Sequence, residues 1–230
     1  YYDLFLDTAV TFNIIPKRYR ELNLDPIDIY FAMARGYQKD ELDVKALSMK
    51  KWFNTNYHYM VAEIEDDTEI KLNSTKAFDE YKEARQLGIE TKSTIVGPFT
   101  LLNVIDYKGD KGVDDFKNDL VAAYIEYISK FNDLGLKVLQ FEEPYIVKDL
   151  DSYDIALFKE LYAEILANKK DIKLLIQTYF GDIRDIYQDL QELDFDGIGL
   201  DFIEGRKTLE LINQYGFSED KVLFAGLING

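Results

Sequence analysis

From residue 92 onward, short apolar runs alternate with longer amphipathic stretches. The runs are residues 92–97, 136–141, 172–179, Gly197–Asp201 and Val222–Gly226. Each is apolar at nearly every position and closes on Gly, Pro or an acidic residue. Such runs suit strands buried on both faces, as in a parallel sheet. Between them, Val113–Leu134 places Phe116, Leu120, Tyr124, Tyr127 and Phe131 three or four residues apart, so they share one helical stripe. Gly135 follows as a C-terminal breaker. Residues 153–167 carry Ile155, Leu157, Phe158, Leu161, Tyr162 and Leu166 and predict another helix, as do 182–193 and 206–215. Upstream, 74–87 predicts a helix with Ser74 as N-cap and Gly88 beyond its end. Residues 25–34 predict one with Pro26 in its first turn.

Strands alternating with helices imply a parallel sheet with right-handed crossovers. The last strand-to-strand spacings, about 25 residues, fit an α/β fold of the (β/α)8 TIM-barrel type better than an open sheet. A sixth strand is expected at 54–59, a loop at 107–112, and the end of a strand begun upstream at residues 1–3. Six strands fall short of the eight of a closed barrel. The expectation is therefore a single partial barrel over 1–230, truncated at its N-terminus. The chain opens at Tyr1, without Met, inside sequence that reads as structured, and that start reads as a fragment boundary.

Composition narrows the partners. A formal net charge of -16 argues against nucleic acid or an anionic membrane, since both are bound through Lys and Arg. No stretch approaches the roughly 18 apolar residues of a membrane span. The expectation is a soluble, cytoplasmic protein. With no Cys, disulfides, thiolate zinc sites and cysteine nucleophiles are excluded. One His, His58, cannot build a triad or a multi-histidine metal site, and reads as hydrogen-bonded structure. The 17 Tyr and 15 Phe read mostly as core and rim packing.

A barrel keeps its ligands at the C-terminal ends of its strands. Those ends here are Gly97-Pro98-Phe99-Thr100, Glu142-Glu143-Pro144, Thr178-Tyr179-Phe180-Gly181, Asp201-Phe202-Ile203-Glu204-Gly205 and Gly226-Leu227-Ile228-Asn229-Gly230. Two carboxylates flanking a bond would make a glycosidase. Glu142 and Glu143 point to opposite sides of a strand, so such a pair would join one of them to Asp201 or Glu204. The bland alternative is carboxylates bonded to backbone or to an Arg. The densest polar-aromatic segment is 50–59, KKWFNTNYHY, with the single Trp and the single His. Lys supplies an ammonium for carboxylates, Asn supplies donors and acceptors, and Trp or Tyr supplies a stacking face. That set suits a flat heteroaromatic ligand with an anionic tail. It also suits a strand with a structural Trp.

The run Lys51-Trp52-Phe53-Asn54-Thr55-Asn56-Tyr57-His58-Tyr59 resembles a signature of the N-terminal domain of cobalamin-independent methionine synthase. Other blocks agree in order. Gly97-Pro98-Phe99-Thr100 is similar to the family's Gly-Pro-x-Thr, and Thr178-Tyr179-Phe180 to its Thr-Tyr-Phe. Glu142-Glu143-Pro144 is similar to its Asp-Glu-Pro, with Glu142 in place of Asp. Ala225-Gly226-Leu227-Ile228-Asn229-Gly230 is similar to its Ala-Gly-Leu-Ile-Asn-Gly. The likeness covers essentially the whole chain.

The resemblance implies a methyltransferase that moves a methyl group from polyglutamylated 5-methyltetrahydrofolate to homocysteine, built from two face-to-face barrels. It places zinc, held by His, Cys and Glu, in the C-terminal barrel. It gives this half support of that barrel and contact with the folate glutamate tail. Lys51 matches the family's tail-contacting lysine, while Trp52, Asn54, Asn56 and His58 become substrate-cleft residues without separate roles. Lys50 reads as solvent-exposed. The family's other tail lysines, its first strand and most of its second correspond to sequence absent here. No catalytic residue and no metal ligand is expected in this chain, and alone it is expected to be inactive. The rival readings are a stand-alone barrel hydrolase using strand-end carboxylates and a non-enzymatic binding domain.

Overall fold

The computed structural model describes residues 3–228. In chain order come α1 (Leu4–Thr11), α2 (Lys17–Arg20), α3 (Pro26–Arg35), β1 (Tyr37–Lys39), β2 (Leu42–Val44), β3 (Met49–Lys51), β4 (His58–Met60) and β5 (Glu63–Ile64). Then follow α4 (Lys76–Gln86), β6 (Ser93–Val96), α5 (Pro98–Val104), β7 (Asp106–Tyr107), α6 (Val113–Leu134), β8 (Val138–Glu142), α7 (Ser152–Ala167) and β9 (Lys173–Gln177). The series closes with α8 (Tyr187–Glu192), β10 (Gly197–Asp201), α9 (Thr208–Tyr215) and β11 (Val222–Gly226). The chain divides into two compact units, Tyr1–Thr75 with Val104–Ala123, and Lys76–Asn103 with Tyr124–Gly230.

The second unit is built on a five-stranded parallel sheet in the order β11-β10-β9-β8-β6. Residues paired across a ladder point to the same face, and neighbours along a strand point to opposite faces. The register therefore sorts the side chains. Ile95, Phe141, Ile176, Ile198 and Leu223 form one row. Val96, Glu142, Gln177, Gly199 and Phe224 form a row on the other face. The first row is the apolar one; Ile95, Phe141, Ile176 and Ile198 are buried, while Leu223, like the rest of β11, is exposed. Phe141 meets Tyr124 of α6 and Tyr162 of α7 with ring centroids 5.9 and 5.7 Å apart. Phe99 meets Phe158 at 5.5 Å, and Tyr162 meets Phe195 at 5.0 Å. The long helices α6 and α7 form where their signals predict. Asp151 caps α7 with a capping box completed by Asp154, and the stripe of α6 is buried along its length.

The first unit mixes short helices with two-stranded ladders. Asp3 caps α1, Pro26 opens α3, and Gly36 ends α3 at φ +81°, where a Cβ would strain. The ladders are the antiparallel hairpins β1–β2 and β3–β4 and the parallel pair β5–β7. Leu6, Ile15, Tyr19, Tyr30, Met33, Leu47 and Met60 form its core. Glu63, nearly buried, accepts from Arg18 at 2.5 Å, and Lys108 bridges towards it from Asp106, 2.6 Å away.

The five apolar runs are thus strands of one parallel sheet. The sixth expectation is corrected: residues 54–59 do not form a sheet strand. Phe53 takes a left-handed φ of +53°, the chain turns through 52–57, and only His58–Met60 is extended, in an antiparallel hairpin. Tyr1 and Tyr2 lie outside the described residues, and Asp3 begins a helix instead of ending a strand. The helix expected at 182–193 shrinks to α8, because Asp182 accepts from the Arg184 side chain and the Lys207 N–H and so holds residues 182–186 out of the helix. The other predicted helices match their expected limits to within two residues, and α6 matches them at both ends. Tyr107 belongs to β7, and the rest of 107–112 is loop. Among the described residues no helix is long and apolar enough to cross a membrane.

Phe141 is 0% exposed in the centre of the sheet–helix layer. Phe141→Ala should destabilise the parallel-sheet unit by about 3–5 kcal/mol. The midpoint of its urea transition, followed by far-ultraviolet circular dichroism, measures this; an unshifted midpoint would place the core elsewhere.

Candidate functional site

The 50–59 segment is a hairpin with two different faces. The Trp52 N–H donates to the Tyr57 carbonyl at 2.7 Å, and the Thr55 N–H and hydroxyl donate to the Trp52 carbonyl at 3.2 and 2.6 Å. These bonds close the loop between β3 and β4. Lys50 lies opposite Tyr59, and Lys51 opposite His58. Directly opposed residues share a face, so Lys51 and His58 stand together and Tyr59 stands on the other side. Tyr59 is buried and packs edge-on against Phe5 at 5.0 Å and Trp52 at 5.1 Å.

This arrangement separates the sequence-predicted residues. Lys51, Asn54, Asn56 and His58 are exposed on the hairpin and its loop. Among the described residues no ion pair engages Lys51, although acidic side chains outnumber basic ones by 43 to 27. Trp52 differs from them. It is half-buried among Phe5, Phe53 and Tyr59, so its ring braces the hairpin from inside. Tyr57, 79% exposed at the loop, is the freest aromatic face of the segment. Asp3 and Phe5, which hold the hairpin from α1, carry no motif. The signal that could have found them is an Asp directly before an apolar-periodic stretch, a helix N-cap.

Glu142, Glu143 and Asp201 at the strand ends are occupied by the protein's own donors, while the Glu204 side chain is exposed. Glu143 is 0% exposed and turns into the helix layer. It accepts the Phe99 and Thr100 N–H groups at 3.0 and 2.7 Å and the Tyr162 hydroxyl at 2.5 Å. Burial pushes its carboxyl up to about 7, against the pull of those donors. Glu142 lies on the opposite sheet face, as strand alternation requires. It accepts from Gln140 at 2.5 Å and from Tyr179, and burial raises its pKa too. Asp201 takes three backbone N–H groups, from Phe180, Ile203 and Glu204, at 2.9, 2.8 and 3.0 Å. A cavity of 210 Å³ sits at these strand ends, lined among others by Gln177, Tyr179, Asp201 and Glu204. An acid–base pair needs a carboxylate free to reach substrate, and Glu143 is sealed away from one. The hydrolase reading is not favoured.

The residues do not fit a zinc site. The chain has no Cys, its one His is isolated on the hairpin, and among the described residues no group of three or more His, Cys, Asp and Glu could hold a metal ion.

A family model described as the N-terminal domain of cobalamin-independent synthase matches residues 1–230. A 5-methyltetrahydropteroyltriglutamate–homocysteine methyltransferase of Campylobacter jejuni subsp. doylei is 56% identical over 229 residues, 100% of this chain and 30% of the relative. The protein of that name from Streptococcus thermophilus is 51% identical over 230 residues, 100% of this chain and 31% of the relative. The chain thus spans about a third of the length of the curated relatives it matches. A B12-independent methionine synthase from Shewanella sp. W3-18-1, solved in complex with selenomethionine, superposes with a TM-score of 0.59 at 14% identity. The match covers 74% of this chain and 53% of that one, and shows a shared fold.

The Glu143 carboxyl titrates near 7 in the folded state and near its ordinary 4.5 when unfolded. Between those values the folded state holds the proton and the unfolded state does not. The stability this group lends is complete below about pH 4.5 and is lost as pH rises through about 7. Denaturation midpoints measured from pH 4.5 to 8 should therefore fall more steeply for the native sequence than for Glu143→Gln, which cannot ionise. Parallel slopes would mean that Glu143 stays ionised throughout.

Proposed function

This chain belongs to the family of the cobalamin-independent synthase N-terminal domain, and from that membership we propose that it is part of a methyltransferase making methionine from homocysteine and a polyglutamylated 5-methyltetrahydrofolate. In this reading the α/β unit with its parallel sheet is a portion of a (β/α) barrel. It supports a second, catalytic domain, and zinc belongs to that second domain. That metal, when bound, supplies thiolate chemistry at homocysteine; nothing in these residues takes part in it.

The part assigned to this chain is recognition of the folate's glutamate tail. The observation that carries it is the exposed Lys51, which no ion pair engages among the described residues, beside His58 on one face of a hairpin fixed from behind. An exposed ammonium, on a chain of net charge -16, is a local attractor for a polycarboxylate. Asn54 and Asn56 in the adjoining loop add donors for carboxylate or amide oxygens. The hairpin keeps the cation at a fixed place, so less freedom is lost on binding.

In the intact methyltransferase, Lys51→Ala should raise KM for the triglutamate substrate by a few-fold to about tenfold, the scale of one partly exposed ion pair. It should change KM for the monoglutamate much less. Steady-state kinetics with both substrates decide the matter, and equal losses would remove the tail from this hairpin.

A further inference from the structure

We propose that Asp3 is a positioning residue for the Lys51–His58 face, holding the β3–β4 hairpin against α1 through a single carboxylate shared between two backbone N–H groups. In an antiparallel ladder, hydrogen-bonded and non-hydrogen-bonded pairs alternate. Here the Trp52 N–H donates to Tyr57, and the Val61 N–H donates to Ser48 at 2.8 Å. The bonded pairs are thus Ser48/Val61, Lys50/Tyr59 and Trp52/Tyr57. The Met60 N–H falls between them and faces away from β3. Met60 is only 2% exposed and packs in the core with Leu6. A donor in that position needs a partner inside the protein.

Asp3 is that partner. One of its carboxylate oxygens accepts the Met60 N–H at 3.1 Å, and the other accepts the Leu6 N–H at 2.6 Å, capping α1. Its own N–H donates to the Tyr30 hydroxyl of α3 at 3.3 Å. One residue therefore joins α1, α3 and β4. Two residues along from Asp3, Phe5 packs on Tyr59 and Trp52 and closes the same joint with apolar surface. Two residues back from Met60 stands His58, opposite Lys51. A displaced Met60 end would carry that pair with it.

The carboxylate is required because both of its neighbours are donors. Asn at position 3 keeps one acceptor oxygen, enough for the cap, and turns an NH2 group towards the second N–H. Ser keeps the cap and is too short to serve both. Asn, Asp and Ser are about equal as N-caps, so either change removes the joint and spares the helix. Burial holds the Asp3 carboxyl above its ordinary range, and its two N–H partners oppose that shift.

The inference about Lys51 and the glutamate tail rests on the reading given above; the joint itself does not. Asp3→Asn and Asp3→Ser are made in the intact methyltransferase, with Lys51→Ala alongside. Hydrogen exchange is followed at the Met60 amide and across α1, and KM and kcat are measured with triglutamate and monoglutamate substrates. The expected result is Met60 exchange faster by about tenfold or more, the scale of one charge-assisted hydrogen bond. Protection across α1 is unchanged, triglutamate KM rises several-fold, and kcat stays within about twofold. Unchanged Met60 exchange overturns the proposal. So does loss of protection spread evenly over α1 and α3, which marks a general structural role, or an equal rise in KM for both substrates with Lys51→Ala still selective. If Lys51→Ala itself shows no selectivity, the tail reading falls, and the Met60 exchange alone decides whether Asp3 holds the hairpin.

Discussion

A backbone N–H withdrawn from water must find an acceptor, and in this acidic chain carboxylates repeatedly supply it. Asp3 serves Leu6 and Met60, Glu143 serves Phe99 and Thr100, Asp196 serves Leu174, and Asp201 serves Phe180, Ile203 and Glu204. Asp3 and Glu143 join chain segments that no ladder pairs, while Asp196 and Asp201 reinforce the neighbourhood of the β9–β10 ladder. Glu143 binds the end of β8 to the first turn of α5, and Tyr162 adds a tie to α7. Gly97 must be glycine for the same reason, since a Cβ there would lie 2.1 Å from the Glu143 carboxylate. The sheet and its covering helices are therefore keyed to one another by charge-assisted bonds as well as by the aromatic layer between them.

This use of carboxylates separates scaffold from site. At the strand ends, where a barrel enzyme would carry its chemistry, Glu143 and Asp201 are engaged by backbone N–H groups and Glu142 by the Gln140 and Tyr179 side chains. The polar groups left available on the hairpin are of the opposite kind: an ammonium, two amides and an imidazole, set on a frame whose aromatic underside is packed. A surface of that make-up suits the binding of an anion proposed above, and it has no buried acid or nucleophile with which to transform one.

Sequence pattern made the parallel sheet legible because continuous apolar runs and period-3.6 stripes act over whole elements, as in 172–179 and Val113–Leu134. The second unit follows that pattern closely. Apart from the start of α6, the elements of the first unit are only two to ten residues long, and local chemistry decides between alternatives. The run 54–59 looks strand-like through Tyr57 and Tyr59, yet Phe53 in the left-handed region and the Thr55 hydroxyl on the Trp52 carbonyl turn it into a loop. Residues 1–3 gave no sign of a helix because the cap, Asp3, stands beside two tyrosines that mimic a strand end. The exposed Lys51, Asn54, Asn56 and His58 were legible as a polar cluster. Their division from Trp52, which faces the packed side, depends on a register that no composition encodes.

The packing of Trp52 also gives the chain an optical property. It is the single tryptophan among the 230 residues, wedged between Phe5, Phe53 and Tyr59 at 6.2, 5.0 and 5.1 Å and adjacent in sequence to Lys51. Its indole is half-shielded from water, so its emission depends on how closely α1 and the hairpin are pressed together. The chain's one strong fluorophore thus stands at the joint between the Lys51–His58 face and the helix behind it. Light emitted from this segment is accordingly a direct optical record of that joint.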